Sequence, residues 1–144
     1  MRRAFRRIRK NSFFSDPSGR NWFSRDFTLH STRKDRDGIV VLAIGGDLTM
    51  DTYPMLKDTF QELLSADARG VVLNLSEATM VGSSAIGALV AFLREVENRG
   101  GNLALAAPSP MLLQVLDLLK LTDFFAIDPG EDDAVDALKD AGDS

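Results

Sequence analysis

The sequence predicts an α/β protein: a mostly parallel central sheet entered by an N-terminal hairpin, with about four helices. Three observations lead there. Residues 39–44, Ile-Val-Val-Leu-Ala-Ile, are continuously apolar, as a strand covered on both faces must be. Strand-like runs at 71–75 and 103–107 alternate with segments whose apolar residues recur at helical spacing. Strand and helix taken in turn argue helices layered on a largely parallel sheet.

Residues 1–25 carry Arg2, Arg3, Arg6, Arg7, Arg9 and Lys10, then a stretch rich in Ser, Asn, Pro and Gly. They read as a disordered basic arm ahead of one domain at 26–144. Phe5, Ile8, Phe13 and Phe14 among those cations would help an electrostatic contact with anionic lipid or nucleic acid. Direct DNA binding is not expected. In 26–32, Phe27 and Leu29 face one way, Thr28 and His30 the other, which is a half-buried strand. Asp35-Arg36-Asp37-Gly38 is a turn signal and closes the hairpin with 39–44.

From Asp51 the period changes. Tyr53, Leu56, Phe60, Leu63 and Leu64 form one helical stripe, with Asp51 the expected cap, Pro54 in the first turn and Gly70 the end of the unit. After the strand at 71–75, a second helix shows Ala85, Leu89, Phe92 and Val96 on one side and stops at Gly100-Gly101. After the strand at 103–107, Ser109 caps a third helix with Pro110 at its first position, and Leu112, Val115, Leu116 and Leu119 are its stripe. Residues 124–127 make a short last strand. Glu131, Asp132 and Asp133 open a last helix, where carboxylates complement the macrodipole.

Composition removes several functions. The chain of 144 residues has no cysteine, so thiolate zinc sites, disulfides and cysteine nucleophiles are excluded, and a cytoplasmic location is expected. A single histidine, His30, leaves little for a His-rich metal site or a triad. No apolar run reaches the roughly 18 residues of a spanning helix, and the basic start is followed by no apolar segment of a secretory signal. The net charge of -4 hides an asymmetry: residues 1–36 hold 11 Lys and Arg against 3 Asp and Glu, while 37–144 hold 6 against 18.

Residues 80–87, Met-Val-Gly-Ser-Ser-Ala-Ile-Gly, sit where a strand-like region meets a helix. A nucleophile elbow needs Gly-x-Ser-x-Gly, but Gly82 directly precedes Ser83 and Gly87 comes too late. Gly82 and Gly87 have phosphate-loop spacing, yet Ala88 and Leu89 stand where lysine and a hydroxyl belong. Asp47, Asp51 and Glu77 could gather at the sheet edge around a cation, though their spacing matches no known loop. Asn74 and Ser76 occupy the strand end where a phospho-accepting aspartate would sit. A serine at a helix start ordinarily caps it; here there are two, so one can cap and the other is free to carry a phosphate.

The stretch from Val71 to Phe125, with its "SSAIGAL", "GGNLALAAPSP" and "VLDLLKLTDFF" segments, resembles the STAS domain of bacterial anti-sigma factor antagonists. "IVVLAIGGDLTMDTYPML" resembles that family's second strand and first helix, and the match runs from about Phe27 to Leu138. The resemblance implies a STAS fold and a binding module without enzyme activity, cofactor or metal. Its partners would be an anti-sigma factor that is also a GHKL-type serine kinase, and a serine phosphatase. Unphosphorylated, it would hold the anti-sigma factor and free a sigma factor. The family pattern Asp-Ser-Ser-Gly-Leu-Gly places the phosphoacceptor at Ser83, with Ser84 the second choice. It places the docking surface at Asp47, Thr49, Gly82, Ser83, Ser84, Ala85, Ile86 and Gly87. The chain departs from the pattern at Gly82 and Thr49, where the family has acids. The alternative role is a STAS scaffold subunit of a membrane-associated complex such as a lipid transporter.

Overall fold

The computed structural model describes residues 6–8, 29–66 and 68–142. In chain order the elements are β1 (Arg6–Ile8), β2 (Leu29–Arg36), β3 (Ile39–Leu48), α1 (Tyr53–Ser65), β4 (Gly70–Asn74), β5 (Ala78–Val81), α2 (Ser83–Asn98), β6 (Asn102–Ala106), α3 (Pro110–Leu118), β7 (Ala126–Asp128) and α4 (Glu131–Gly142). The sheet runs β1-β2-β3-β4-β6-β7, antiparallel at β1-β2 and β2-β3 and parallel from β3 onward. The predicted α/β class, the entering hairpin and the four helices are all present. Of the basic arm, only β1 lies within the described residues; the expected strand residues Phe27 and Thr28 lie outside them.

The hairpin is set by its turn. Asp37 and Gly38 both have positive φ, 53° and 85°, the backbone that a two-residue turn needs to match the twist of its strands. Gly101 is fixed for another reason: a Cβ there would collide with the backbone carbonyl of Arg69, where the strands β4 and β6 begin side by side.

Strand alternation divides the core. Val40, Leu42 and Ile44 of β3 join Leu56, Phe60, Leu89, Phe92 and their neighbours under α1 and α2. Ile39 and Val41 face the other way and meet Val72, Ala104 and Ala106 with Ala134, Val135 and Leu138 of α4. The helices α1 and α2 touch through Phe60 and Phe92, whose rings stack with centroids 4.3 Å apart and planes 5° apart. The helix α4 adds ion pairs to its few apolar contacts: Glu131–Lys34 at 2.8 Å, Asp132–Arg36 at 2.7 Å and Lys139–Asp37 at 3.2 Å.

Three local expectations change. The strand β3 runs to Leu48 and not to Ile44, with an irregularity between Gly46 and Asp47; its first half pairs with β4 and its second with β5. The strand β5 has no counterpart in the expected order. Asp51 does not cap α1: the cap position is Thr52, and Pro54 follows within the first turn as expected. Ser109 does cap α3, its side chain accepting from the Leu112 N–H at 3.2 Å.

Candidate functional site

The far half of β3 and β5 pair in parallel and lead to one junction. Leu48 pairs with Val81, and Gly82 then donates its N–H to the Leu48 carbonyl at 2.7 Å. That bond ends the parallel ladder and aims the chain into α2. Gly82 is the N-cap residue, in extended backbone with φ −101° and ψ 170°, and it supplies no side-chain cap. Neither serine supplies one. Ser83 and Ser84 already lie inside the helix, and a capping oxygen has to come from the residue before it. The expected sharing of labour between a capping and a signalling serine is therefore corrected: both hydroxyls are released from capping.

The two serines differ in access. Ser83 is exposed and Ser84 half-buried. Ala85 and Ile86 are buried, at 0% and 5% exposure, and anchor the first turn in the core under α1 and α2. Gly87, one turn beyond Ser83, is exposed, and a Cβ there would meet nothing within 4 Å among the described residues. Of the residues expected at the site, Ser83 and Gly87 thus face outward from the helix. Ala85 and Ile86 hold it in place.

The loop between β3 and α1 forms the facing wall. Asp47 is half-buried and its carboxylate accepts from the Thr79 hydroxyl at 2.5 Å, which ties β3 to β5. Thr52, fully buried, donates its hydroxyl to the Asp47 carbonyl at 2.6 Å and accepts the Thr49 N–H at 3.1 Å. The Thr49 hydroxyl, by contrast, is buried and has no hydrogen-bond partner among the described residues. Between them Met50 stands 80% exposed. Thr52 and Thr79 were not legible as site residues; each works only through a contact that the fold creates.

The first turn of α2 contains no acidic residue, so the positive end of its dipole meets no carboxylate of its own. Among the described residues no three His, Asp or Glu side chains converge, so Asp47, Asp51 and Glu77 do not form the cation site their positions suggested. A groove of about 430 Å³ borders this region, lined by His30, Thr32, Asn74, Ser76, Glu77 and Thr79 among others. No described helix is long and apolar enough to cross a membrane.

The family model of the STAS domain matches residues 31–134. A Thermotoga maritima protein designated an anti-sigma factor antagonist is 28% identical over 86 residues, covering 59% of this chain and 76% of its own. The crystal structure of an anti-sigma factor antagonist from Mycobacterium paratuberculosis superposes with a TM-score of 0.73 at 24% identity, covering 81% of this chain and 99% of that one. A sulfate transporter family protein from Wolinella succinogenes gives 0.65 at 18% identity, over 77% and 93% of the two chains. The fold is shared by both structures and does not by itself choose between their roles.

Proposed function

The chain belongs to the STAS domain family, and from that premise we propose that it is an anti-sigma factor antagonist switched by phosphorylation of Ser83. In its unphosphorylated form it binds an anti-sigma factor through the surface around Ser83 and so frees a sigma factor. It acts as a binding module, and the kinase activity belongs to the partner, of GHKL type. A serine phosphatase restores the active form. The likeness to the Thermotoga and Mycobacterium proteins supports the partner class.

The observation that carries the reading is the exposed Ser83 at the uncapped start of α2, beside a loop held by the Leu48–Gly82 bond. A phosphate there adds roughly -1.5 to -2 charges. The helix end receives that charge well, since it favours anions and carries no carboxylate in its first turn. The charge therefore leaves the fold intact and acts on whatever docks against it. Gly82 and Thr49, neutral where the family has acids, leave recognition of this serine to the Asp47 side and to shape.

The test is to incubate the full chain with purified GHKL-type anti-sigma factors of its source organism and ATP, then map phosphosites. Phosphate on Ser83 and loss of binding in Ser83→Asp support the reading. Absence of both phosphate and binding with every candidate removes it.

A second reading has one specific motive, the fold shared with a sulfate transporter family protein together with the basic first 36 residues. As a scaffold at a membrane complex, the chain would sediment with anionic vesicles and lose that behaviour without residues 1–25. Equal sedimentation of both forms removes it.

A further inference from the structure

With no cysteine in the chain, methionine is its only sulfur, and there are 5 of them. Among the described residues three are exposed: Met50 at 80%, Met80 at 41% and Met111 at 45%. Met55 is half-buried against the core. The exposed three are not scattered. Met50 lies two residues past Leu48, whose carbonyl receives the Gly82 N–H. Met80 lies two residues before Gly82, paired in register with Asp47. Met111 lies in the first turn of α3, which packs on β5. The two chain segments that meet at the start of α2 thus each carry an exposed thioether.

Such a placement has a chemical consequence. Thioether side chains are flexible and polarizable and suit adaptable contact surfaces, and they are also the side chains that peroxides oxidise once exposed. From these positions we propose that Met50 and Met80 are a peroxide-sensitive part of the Ser83 surface, a second off switch that needs neither kinase nor phosphatase. This inference rests on the docking role proposed above for that surface. The sulfur lone pair attacks one peroxide oxygen; the O–O bond breaks as the S–O bond forms. The thioether becomes a sulfoxide, oxidised by two electrons, and hydrogen peroxide is reduced to water. An apolar contact becomes a strongly polar one, and methionine sulfoxide reductases reverse it.

The oxidation leaves the fold standing, because neither side chain is part of the buried core. What it changes is the surface: docking weakens by about tenfold or more, the loss expected when well-packed apolar contacts become polar.

The experiment treats the full chain with dilute hydrogen peroxide and follows three readouts. Peptide mapping is expected to find sulfoxide at Met50 and Met80 well before Met55. Amide spectra are expected to show shifts at Ser83 and Ser84, restored by methionine sulfoxide reductase. Titration against the anti-sigma factors used above is expected to show the affinity loss in the wild type and not in Met50→Leu/Met80→Leu. Oxidation of Met55 as fast as the other two, unmoved Ser83 and Ser84 amides, or equal peroxide sensitivity of the leucine variant would each overturn the inference. If no anti-sigma factor binds even the reduced chain, the docking role fails. The mapping and the amide shifts then still decide whether the two thioethers bear on Ser83.

Discussion

The Gly82 N–H bonds the Leu48 carbonyl at 2.7 Å, so the loop after β3 and the start of α2 are one unit. Gly82 is nonetheless in backbone that any residue adopts, and a Cβ there meets Leu48 and Thr49 only at ordinary distances of 3.6 and 3.7 Å. Gly82→Asp is therefore expected to fold and to gain a side-chain cap. Urea denaturation should find it stabilised by a few tenths to about 1 kcal/mol. Destabilisation would mean that the junction is tighter than its distances imply.

Two threonines in the same loop should respond oppositely to the same substitution. Thr52→Val removes a buried hydroxyl bonded to the Asp47 carbonyl and the Thr49 N–H, and is expected to cost about 1–3 kcal/mol. Thr49→Val removes a buried hydroxyl with no partner among the described residues and should be neutral or stabilising. Denaturation midpoints compare the pair directly, and equal losses at both positions would contradict the assigned bonding.

These loop contacts mark the limit of what was legible in the sequence. Continuous apolar runs such as Ile39–Ile44 announce a buried strand because both faces need covering. The Asp37-Gly38 turn was equally plain, since few residue pairs accept positive φ twice. The strand β5 was not, because Ala78, Thr79, Met80 and Val81 are too few to show a period, and their pairing depends on how far β3 runs. The serine pair showed that a helix began there but not which residue came before its first turn. That placement follows from the Leu48–Gly82 bond, a contact across more than thirty positions that no local pattern records.

The stacked rings of Phe60 and Phe92 hold the two helices that carry the site. Phe92→Ala is expected to cost about 3–5 kcal/mol. A double-mutant cycle with Phe60→Ala should give a coupling of about 0.5–1.5 kcal/mol. Additive losses would show that the rings stack without supporting one another.

Acid should loosen α4 before the rest. Partial burial pushes the Glu131 carboxyl up, but hydrogen bonds from Lys34 and Asn74 and the charges of Lys34 and Arg36 outweigh it and hold the group below its usual 4.5. A carboxyl depressed in the folded state contributes stability above its unfolded pKa and loses it as pH falls through the folded value. The contribution is thus complete at neutral pH and fades below about pH 4.5. Glu131→Gln should flatten this acid dependence, and added salt should weaken the exposed Arg36–Asp132 and Lys139–Asp37 pairs. Hydrogen exchange of α4 amides measures both; protection unchanged by pH, salt and the substitution would contradict a role for these ion pairs in holding α4.

The most direct test of the switch is one titration made twice, with the same anti-sigma factor against the unmodified chain and against the chain phosphorylated at Ser83. Binding of the unmodified form is expected, with a loss of about a hundredfold on phosphorylation, about 2.7 kcal/mol at the docking surface, and the thermal stability of the fold unreduced. Equal affinity of the two forms would contradict the switch.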